Sequence, residues 1–247
     1  MDKRGQVTIF IIIAIVIVVG ITLLFFFPGV SILSSEVNPS SYLRSCIESE
    51  VKDTLSVLSK QGGYLEPDNY LMYLDNKIQY LCYTSENYLP CKVQQPLLVK
   101  HMEEEIKGKI EPVARQCVKN LEEQYKSQGY SVRTTQGQVE VDIELGKIAV
   151  NFLSPMTIEK ESVQTFSKFA VSINSELYDL LSLATNIIQF ESTFGDAETS
   201  LYISYYPDLN MEKIKRNGDT IYKLRNVITG DEFTFASRSL VWPQGYV

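Results

Sequence analysis

Residues Val7 to Phe27 form an unbroken apolar run without a charged side chain. At 1.5 Å of helical rise per residue, a run of this length reaches about 30 Å, the thickness of a bilayer's hydrocarbon core. Lipid offers no partner to backbone N–H and C=O groups, so a single run of this kind is expected to be a helix. Lys3 and Arg4 precede it, and no Lys or Arg follows until Arg44. Basic residues stay on the cytoplasmic side, which predicts an N-terminus facing in and a chain facing out after Pro28. The expected division is a basic cytoplasmic leader over 1–6, a transmembrane helix over 7–27, a linker over 28–40 and an extracytoplasmic domain over 41–247. The localisation expected is the cell membrane, crossed once, with membrane lipid as the first partner. A cleaved secretory signal fits less well, because its apolar core is shorter and Phe25, Phe26, Phe27 and Pro28 make a poor cleavage region.

The domain beyond the linker has about 210 residues, enough for one sizeable core or two small ones. Formal net charge is −7 and the isoelectric point lies near 4.9. No basic stripe is present, which argues against nucleic acid as a partner.

Cys46, Cys82, Cys91 and Cys117 all follow the apolar run, on the side expected to be oxidising. An even count there favours two disulfides over buried reduced thiols. No closely spaced pair such as C-x₂-C suggests zinc, and His101 is the only histidine. Four cysteines allow three pairings, and the elements that carry them favour one. Leu43, Ile47, Val51, Leu55 and Leu58 recur at helical spacing, so 41–60 reads as an amphipathic helix closed by Gly62-Gly63, with Cys46 beside its stripe. Ile106, Ile110, Val113, Ala114, Cys117 and Leu121 mark a second one within 95–127, with a kink or restart expected at Pro112. Two helices packed stripe to stripe would join Cys46 to Cys117. Cys82 and Cys91 would then close a local loop around Ser85-Glu86-Asn87. In the chain-entropy model the long bridge contributes about 4 kcal/mol and the short one about 2–3.

Residues 28–40 contain Pro28, Gly29, several Ser, Asn38 and Pro39, which interrupt any period. Residues 64–92 are rich in Tyr, with a strand expected at Ile78–Tyr83. Beyond the second helix the period changes. Tyr130–Thr135, Gln138–Leu145, Lys147–Leu153 and Met156–Glu161 alternate or run β-branched, with turn signals at Gly137 and Gly146, and predict an antiparallel meander that Phe166–Ile173 extends. Leu177, Leu180, Leu181, Ala184, Ile187 and Ile188 draw the buried face of a third helix over 174–191. Leu201–Tyr205 reads as a strand. Thr220–Val227 and Glu232–Ala236 flank Thr229-Gly230-Asp231, a hairpin signal. Helices and antiparallel strands in separate blocks predict an α+β domain.

The N-terminal junction, Lys3-Arg4-Gly5-Gln6-Val7-Thr8 before Ile9-Phe10, resembles the class III signal peptides of archaeal type IV pilin-like proteins and archaellins. The resemblance implies cleavage between Gly5 and Gln6, with the helix kept in the mature protein. Phe10 stands at the fifth mature position, where many members carry an acidic residue. The remainder resembles hypothetical single-pass membrane proteins of small-genome archaea, with a Cys-bearing helix ending in Gln-Gly-Gly-Tyr.

No catalytic set is apparent. G-x-S-x-G, H-E-x-x-H and Walker A patterns are absent. His101 beside Glu103-Glu104-Glu105 reads as a solvated helix face. Glu140, Asp142 and Glu144 share one strand face, with the oxygen chemistry of a Ca²⁺ site, although the alternation of an exposed sheet face alone explains the pattern. No cofactor is expected. Tyrosine is abundant, at 15 residues, and its rings favour interfaces. Tyr202, Tyr205 and Tyr206 are the candidate contact patch, with a second candidate over 64–88. The expected role is that of a structural or adhesive envelope protein, pilin-like by its leader, that associates with itself or with envelope partners. The alternative is a membrane-tethered enzyme or solute-binding protein.

Overall fold

In the computed structural model, residues 13–19, 38–135 and 137–241 are described. The chain divides into two units, Met1–Asn38 and Pro39–Val247. In the first, residues 13–19 are helical (α1), and Ile15 and Val16 are 57% and 65% exposed. The leader, Gly5 and Gln6, and most of the expected span and linker lie outside the described residues. Among the described residues no helix is long and apolar enough to cross a membrane.

The second unit is a mixed α+β domain dominated by antiparallel pairing. Its first helix, α2 (Pro39–Lys60), begins at a residue read above as a linker breaker. Proline is favoured in a first helical turn, where its missing N–H has no intrahelical acceptor and its φ is already set. The buried stripe runs Leu43, Ile47, Val51, Thr54 and Leu58. Thr54 takes the buried position while Leu55 is half-buried. A pair of glycines, Gly62 and Gly63, both with positive φ, turns the chain away.

Helix α3 (Leu98–Ser127) is continuous through Pro112, without the expected restart. Pro112 sits on the exposed face, where water can satisfy the carbonyl that its ring deprives of a donor. Helices α2 and α3 pack antiparallel. Cys46 bonds Cys117 with Cα atoms 6.2 Å apart, Lys109 lies 3.6 Å from Glu50, and the end of α2 at Gly63 approaches Met102 and Leu98 near the start of α3. Both stripes are buried over almost their whole length.

A mixed sheet is built from strands distant in sequence. Strands β1 (Tyr70–Tyr73), β2 (Asn76–Tyr83) and β3 (Lys92–Val93) come early; β10 (Leu209–Arg216), β11 (Asp219–Asn226) and β12 (Glu232–Arg238) come last. The order is β1-β2-β12-β11-β10, with β3 also on β2, and β12 runs parallel to β2. The second bridge, Cys82–Cys91, ties β2 to the residue before β3. The β11–β12 hairpin turns at Gly230, which has positive φ. The β10–β11 hairpin turns on Asn217-Gly218, both with positive φ, the requirement of a type I′ turn.

The expected meander is present with a different architecture. Its strands form two three-stranded sheets, β4-β7-β8 and β5-β6-β9. The first comprises Ser131–Thr134, Met156–Glu159 and Val163–Phe166; the second comprises Gln138–Glu144, Lys147–Leu153 and Phe169–Asn174. Pairing passes from Thr134↔Met156 to Gln138↔Leu153, so the sequence between these pairs is one residue longer on one strand than on the other. This is the count of a β-bulge. The two sheets are therefore halves of three long strands broken at a common level. Pro155, which has no N–H to give, marks the break in the middle strand, and its carbonyl accepts Thr135 N–H at 3.0 Å. At Gly137 the chains approach so closely that a Cβ would lie 1.9 Å from the Leu153 carbonyl oxygen.

Helix α4 (Leu177–Phe194) buries all six residues expected to form its face. It packs on β12, β11 and β2 of the mixed sheet and also touches β5, while α2 touches both β12 and β9. The helices thus lie between the mixed sheet and the β5-β6-β9 half of the meander. Toward the helices the mixed sheet presents Tyr222 and Phe235, stacked at 5.1 Å. Ile78, Tyr80, Ile221 and Ala236 form a smaller cluster with Tyr73 and Tyr83 packed against it.

The expected strand at Leu201–Tyr205 is instead a short helix, α5 (Ser200–Tyr205), with no buried residue. A strand needs a neighbour to pair its backbone. Here the backbone bonds locally, Ile203 N–H to Thr199 O at 3.3 Å and Tyr206 N–H to Tyr202 O at 3.0 Å.

Candidate functional site

The connection from α4 to α5 is pinned by polar contacts. Gly195 ends α4 in the left-handed conformation. Ala197 is fully buried, and its N–H donates to Glu191 Oε1 at 3.3 Å. Asp196 receives Lys213 Nζ at 2.5 Å on one oxygen and Lys215 Nζ at 2.9 Å on the other. With its approach fixed in this way, α5 carries its apolar residues outward. Leu201, Ile203 and Tyr205 are exposed, as are Tyr206 just beyond it and Val227 and Ile228 of the β11–β12 turn.

Of the candidate patch, Tyr205 and Tyr206 reach solvent, with Tyr205 78% exposed. Tyr202 is half-buried, and burial raises the pKa of its phenol. The helical spacing places Tyr202 and Tyr205 on one face, which the expected strand would have split. Tyr206 helps to line a cleft of about 320 Å³ between the start of α4 and the β11–β12 turn. Its apolar lining includes Leu180, Leu183 and Ile228, its acidic lining is Glu176, Asp179 and Asp208, and no Lys, Arg or His lines it. The floor suits an apolar group and the rim disfavours anions.

Sequence reasoning missed the contribution of Val227 and Ile228. The available signal was an apolar pair set directly before Thr229-Gly230-Asp231: apolar residues inside a hairpin turn have no core to face. The turn is held open by Asn226 Oδ1, which accepts the N–H groups of Ile228 at 2.9 Å and Thr229 at 3.1 Å.

The other tyrosine cluster, 64–88, is divided: Tyr70 and Tyr88 are exposed, while Tyr64 and Tyr80 are engaged in the fold. Tyr80 is buried and donates to Asp219 Oδ1 at 2.9 Å; desolvation, with that bond second, raises the pKa of its phenol. Tyr64 lies against His101, ring centroids 4.1 Å apart. His101 is thus half-buried and not on a solvated face, and burial lowers its pKa. Two of the neighbouring glutamates are also engaged. Glu103 accepts the N–H of Ile143 at 3.1 Å and Glu105 that of Leu65 at 3.2 Å. These carboxylates serve backbone donors that secondary structure leaves unpaired.

Glu140, Asp142 and Glu144 stand on the exposed face of β5. Alternate residues on a strand are about 7 Å apart, too far for one ion to gather all three side chains easily. Asp142 accepts Asn151 Nδ2 at 3.4 Å and Glu144 pairs with Lys147 at 2.9 Å. Among the described residues no group of three or more His, Cys, Asp or Glu is placed to hold a metal.

A buried polar network underlies the α5 surface. Glu191 is 1% exposed and its carboxyl accepts Tyr222 OH, Ala197 N–H and Ser237 OH, the last at 3.1 Å. Burial raises its pKa, opposed by the bonds from the Tyr222 hydroxyl and the Ala197 N–H. Tyr222 is driven far up for the same first reason, loss of water around its phenolate, with Glu191 adding to it.

Comparison of the chain with protein-family models, curated proteins and solved structures finds no match.

Proposed function

We propose that this chain is a single-pass cell-envelope protein whose disulfide-stapled domain lies outside the membrane and acts by contact, in a structural or adhesive role. The observation that carries the contact role is the apolar surface of α5 and the β11–β12 turn. Its α5 residues project from a connection anchored by the buried Glu191–Ala197 bond and by the ion pairs of Asp196 with Lys213 and Lys215, so their exposure goes with a fixed attachment. Exposed apolar patches of this kind mark sites of association, and tyrosine is suited to them. The Val7–Phe27 run supports the membrane anchor and Lys3-Arg4 its orientation. Two disulfides in a domain with no free cysteine among the described residues support an oxidising location. In this reading Gly5–Gln6 is a processing site, the partners are other copies or envelope proteins, and no catalytic role is assigned.

The acidic-rimmed cleft supports one competing reading, a membrane-tethered solute-binding protein for a small ligand with an apolar body and a cationic group. The deciding experiment has two parts, made on protein from its native membrane. N-terminal peptide analysis is expected to find Gln6 first; a retained Asp2–Gly5 removes the pilin-like element and leaves a plain anchor. Photo-crosslinking from position 205 or 228 is expected to capture protein. Capture of none, with a small molecule copurifying, would replace the contact role by the solute-binding one.

A further inference from the structure

The β1–β2 hairpin ends in a turn that the isolated fold does not account for. Its loop is Leu74-Asp75, set between the paired residues Tyr73 and Asn76, and both loop residues have positive φ, 47° and 62°. A two-residue turn of this kind favours Asn-Gly, as Asn217-Gly218 supplies in the β10–β11 hairpin, and a bulky residue is seldom found there. Leu74 is also 72% exposed. One residue thus combines a left-handed backbone with an apolar side chain in water, and no burial offsets either. Behind it Met72 and Tyr70 alternate along β1 and are exposed too, while Leu71 and Tyr73 pack on the cluster of Ile78, Tyr80, Ile221 and Ala236. Lys77 stands opposite Met72 on β2, hence on the same face, with its ammonium 4.9 Å from the centre of the Tyr70 ring. The hairpin is an apolar knob that carries a cation.

The knob and the acidic-rimmed cleft share one end of the domain. Strands β2 and β12 run parallel, with Tyr80 opposite Ala236. The Leu74-Asp75 turn that leads into β2 and the turn that leads into β12 therefore emerge at the same end of the sheet. Lys60, the last residue of α2, lies 4.0 Å from Glu232 at the start of β12, and the N–H of Glu176, just before α4, donates to Asp231 Oδ2 at 2.6 Å. Pro39, where the chain enters the domain, lies at the other end of α2, about 33 Å away for a helix of 22 residues.

The two features are complementary. The cleft has an apolar floor that includes Leu180, Leu183 and Ile228, the carboxylates of Glu176, Asp179 and Asp208, and no cation. The knob offers Leu74, Met72 and Lys77. No residue of the hairpin lines the cleft of its own chain. Resting on the contact reading above, we propose that the partner is a second copy of this chain, with the knob of each copy seated in the cleft of the other about a two-fold axis. A reciprocal contact of this kind needs both surfaces on one face of each copy, and that is how they stand. Leu74 and Met72 meet the floor and Lys77 meets the acidic rim. Asp75 offsets part of the charge, so the apolar contacts carry the affinity and Lys77 fixes the orientation. Burial against the second copy supplies what Leu74 lacks in the isolated domain.

The test uses the full chain, purified and placed in lipid vesicles, with a diazirine analogue of leucine at position 74 that keeps the shape of the side chain. Equal amounts of isotopically heavy and light chain are mixed and irradiated. Expected are heavy–light crosslinks that map to 176–183 or 226–229; crosslinks confined to one chain, or between copies at other positions, overturn the proposal. Charge exchange reads the rim independently, by sedimentation of the full chain in detergent. Lys77→Glu in one chain, and Asp179→Lys with Asp208→Lys in another, are each expected to weaken self-association at least tenfold. An equal mixture is expected to restore it, because each knob then finds a cleft of opposite charge, and a mixture as weak as its parts overturns the proposal. Leu74→Asn, a residue that the turn favours, is expected to fold at least as stably while associating at least tenfold more weakly; unchanged association overturns the role of the knob. Failure here is distinguishable from failure of the contact reading. If positions 205 and 228 capture an envelope protein in the native membrane while position 74 links no second copy, the contact role stands and self-association falls; if none of the three captures protein, both fall.

Discussion

The two disulfides close loops of very different length, and this difference can be measured. Cys46–Cys117 spans 71 residues and Cys82–Cys91 spans 9. A crosslink stabilises a fold mainly by removing conformations from the unfolded chain, with a loss that grows with the logarithm of the loop. At 25 °C the chain-entropy expression assigns about 4.4 kcal/mol to the long bridge and about 2.6 kcal/mol to the short one. Replacing cysteines by alanine would blur the comparison, because Cys82, Cys91 and Cys117 are all buried and their loss would leave holes. The cleaner design keeps one bridge per variant, Cys82→Ala with Cys91→Ala in one chain and Cys46→Ala with Cys117→Ala in the other. Guanidinium unfolding is then followed with and without reductant. Within each variant the folded state keeps the same atoms apart from the S–S bond, so packing costs cancel. Reduction is expected to lower the unfolding free energy about 1.8 kcal/mol more in the variant that retains Cys46–Cys117. At about 2–4 °C per kcal/mol for a domain of this size, the difference in Tm loss is about 4–7 °C. An equal or larger effect from the short bridge would refute the reasoning. It would mean that the Cys82–Cys91 link acts on the folded state, for example by holding the loop whose Tyr88 N–H bonds Leu240 O at 2.7 Å.

Replacing Glu191 by Leu strands Tyr222 OH, Ser237 OH and Ala197 N–H in the interior and is expected to cost at least about 3 kcal/mol in urea unfolding; a cost below about 1 kcal/mol would mean those donors find other partners. Gly137→Ala places a Cβ 1.9 Å from the Leu153 oxygen, and backbone atoms cannot yield cheaply, so a loss of about 2 kcal/mol or more is expected, read from the Tm. Burial holds the folded pKa of His101 below its usual 6.5, so the unfolded chain binds the proton more readily. Its contribution is therefore neutral above pH 6.5 and becomes destabilising as pH falls toward and through the folded pKa; the wild type should lose more stability between pH 7.5 and 5 than His101→Gln, and parallel curves would contradict this. Replacing Leu201, Ile203 and Tyr206 together by Ser, with the photo-crosslinker kept at position 205, is expected to leave stability within about 0.5 kcal/mol per site while abolishing crosslinks to envelope partners, and retained crosslinks would move the contact surface elsewhere.

What could be read in advance follows from which interactions have a local period. The stripes of α2, α3 and α4 are nearest-neighbour patterns, and Cys46 and Cys117 could be paired because each stood in or beside such a stripe. The meander strands were legible by alternation. Their break into two sheets was not, since it depends on one residue more between Thr134 and Gln138 than between Leu153 and Met156. Asn217-Gly218 was a hairpin signal in plain view, hidden by the polar composition of β10, where Glu212, Lys213, Lys215 and Arg216 leave little apolar alternation. The parallel pairing of β12 with β2 joins segments about 150 residues apart and leaves no local trace.

Two of the misreadings, the strand expected at Leu201–Tyr205 and the missed β10–β11 hairpin, fall between Glu191 and Gly218 and share a cause. This stretch is held by charged and hydroxyl groups: Glu191 to Tyr222 and Ser237, and Asp196 to Lys213 and Lys215. Polar anchors need only single residues at the right places, so they impose no repeating pattern on the chain. They also release its apolar residues from the duty of facing a core. In α2 or α4 an exposed leucine would weaken the fold, because burial of that stripe is what holds the helix. In α5 nothing is buried, and Leu201, Ile203 and Tyr205 are exposed without loss of the helix's attachment. A segment attached by polar bonds that presents apolar side chains to water gains nothing from them in the isolated domain. On the proposed contact reading their benefit comes from burial against a partner, and that reading rests on α5 more firmly than on the number of tyrosines.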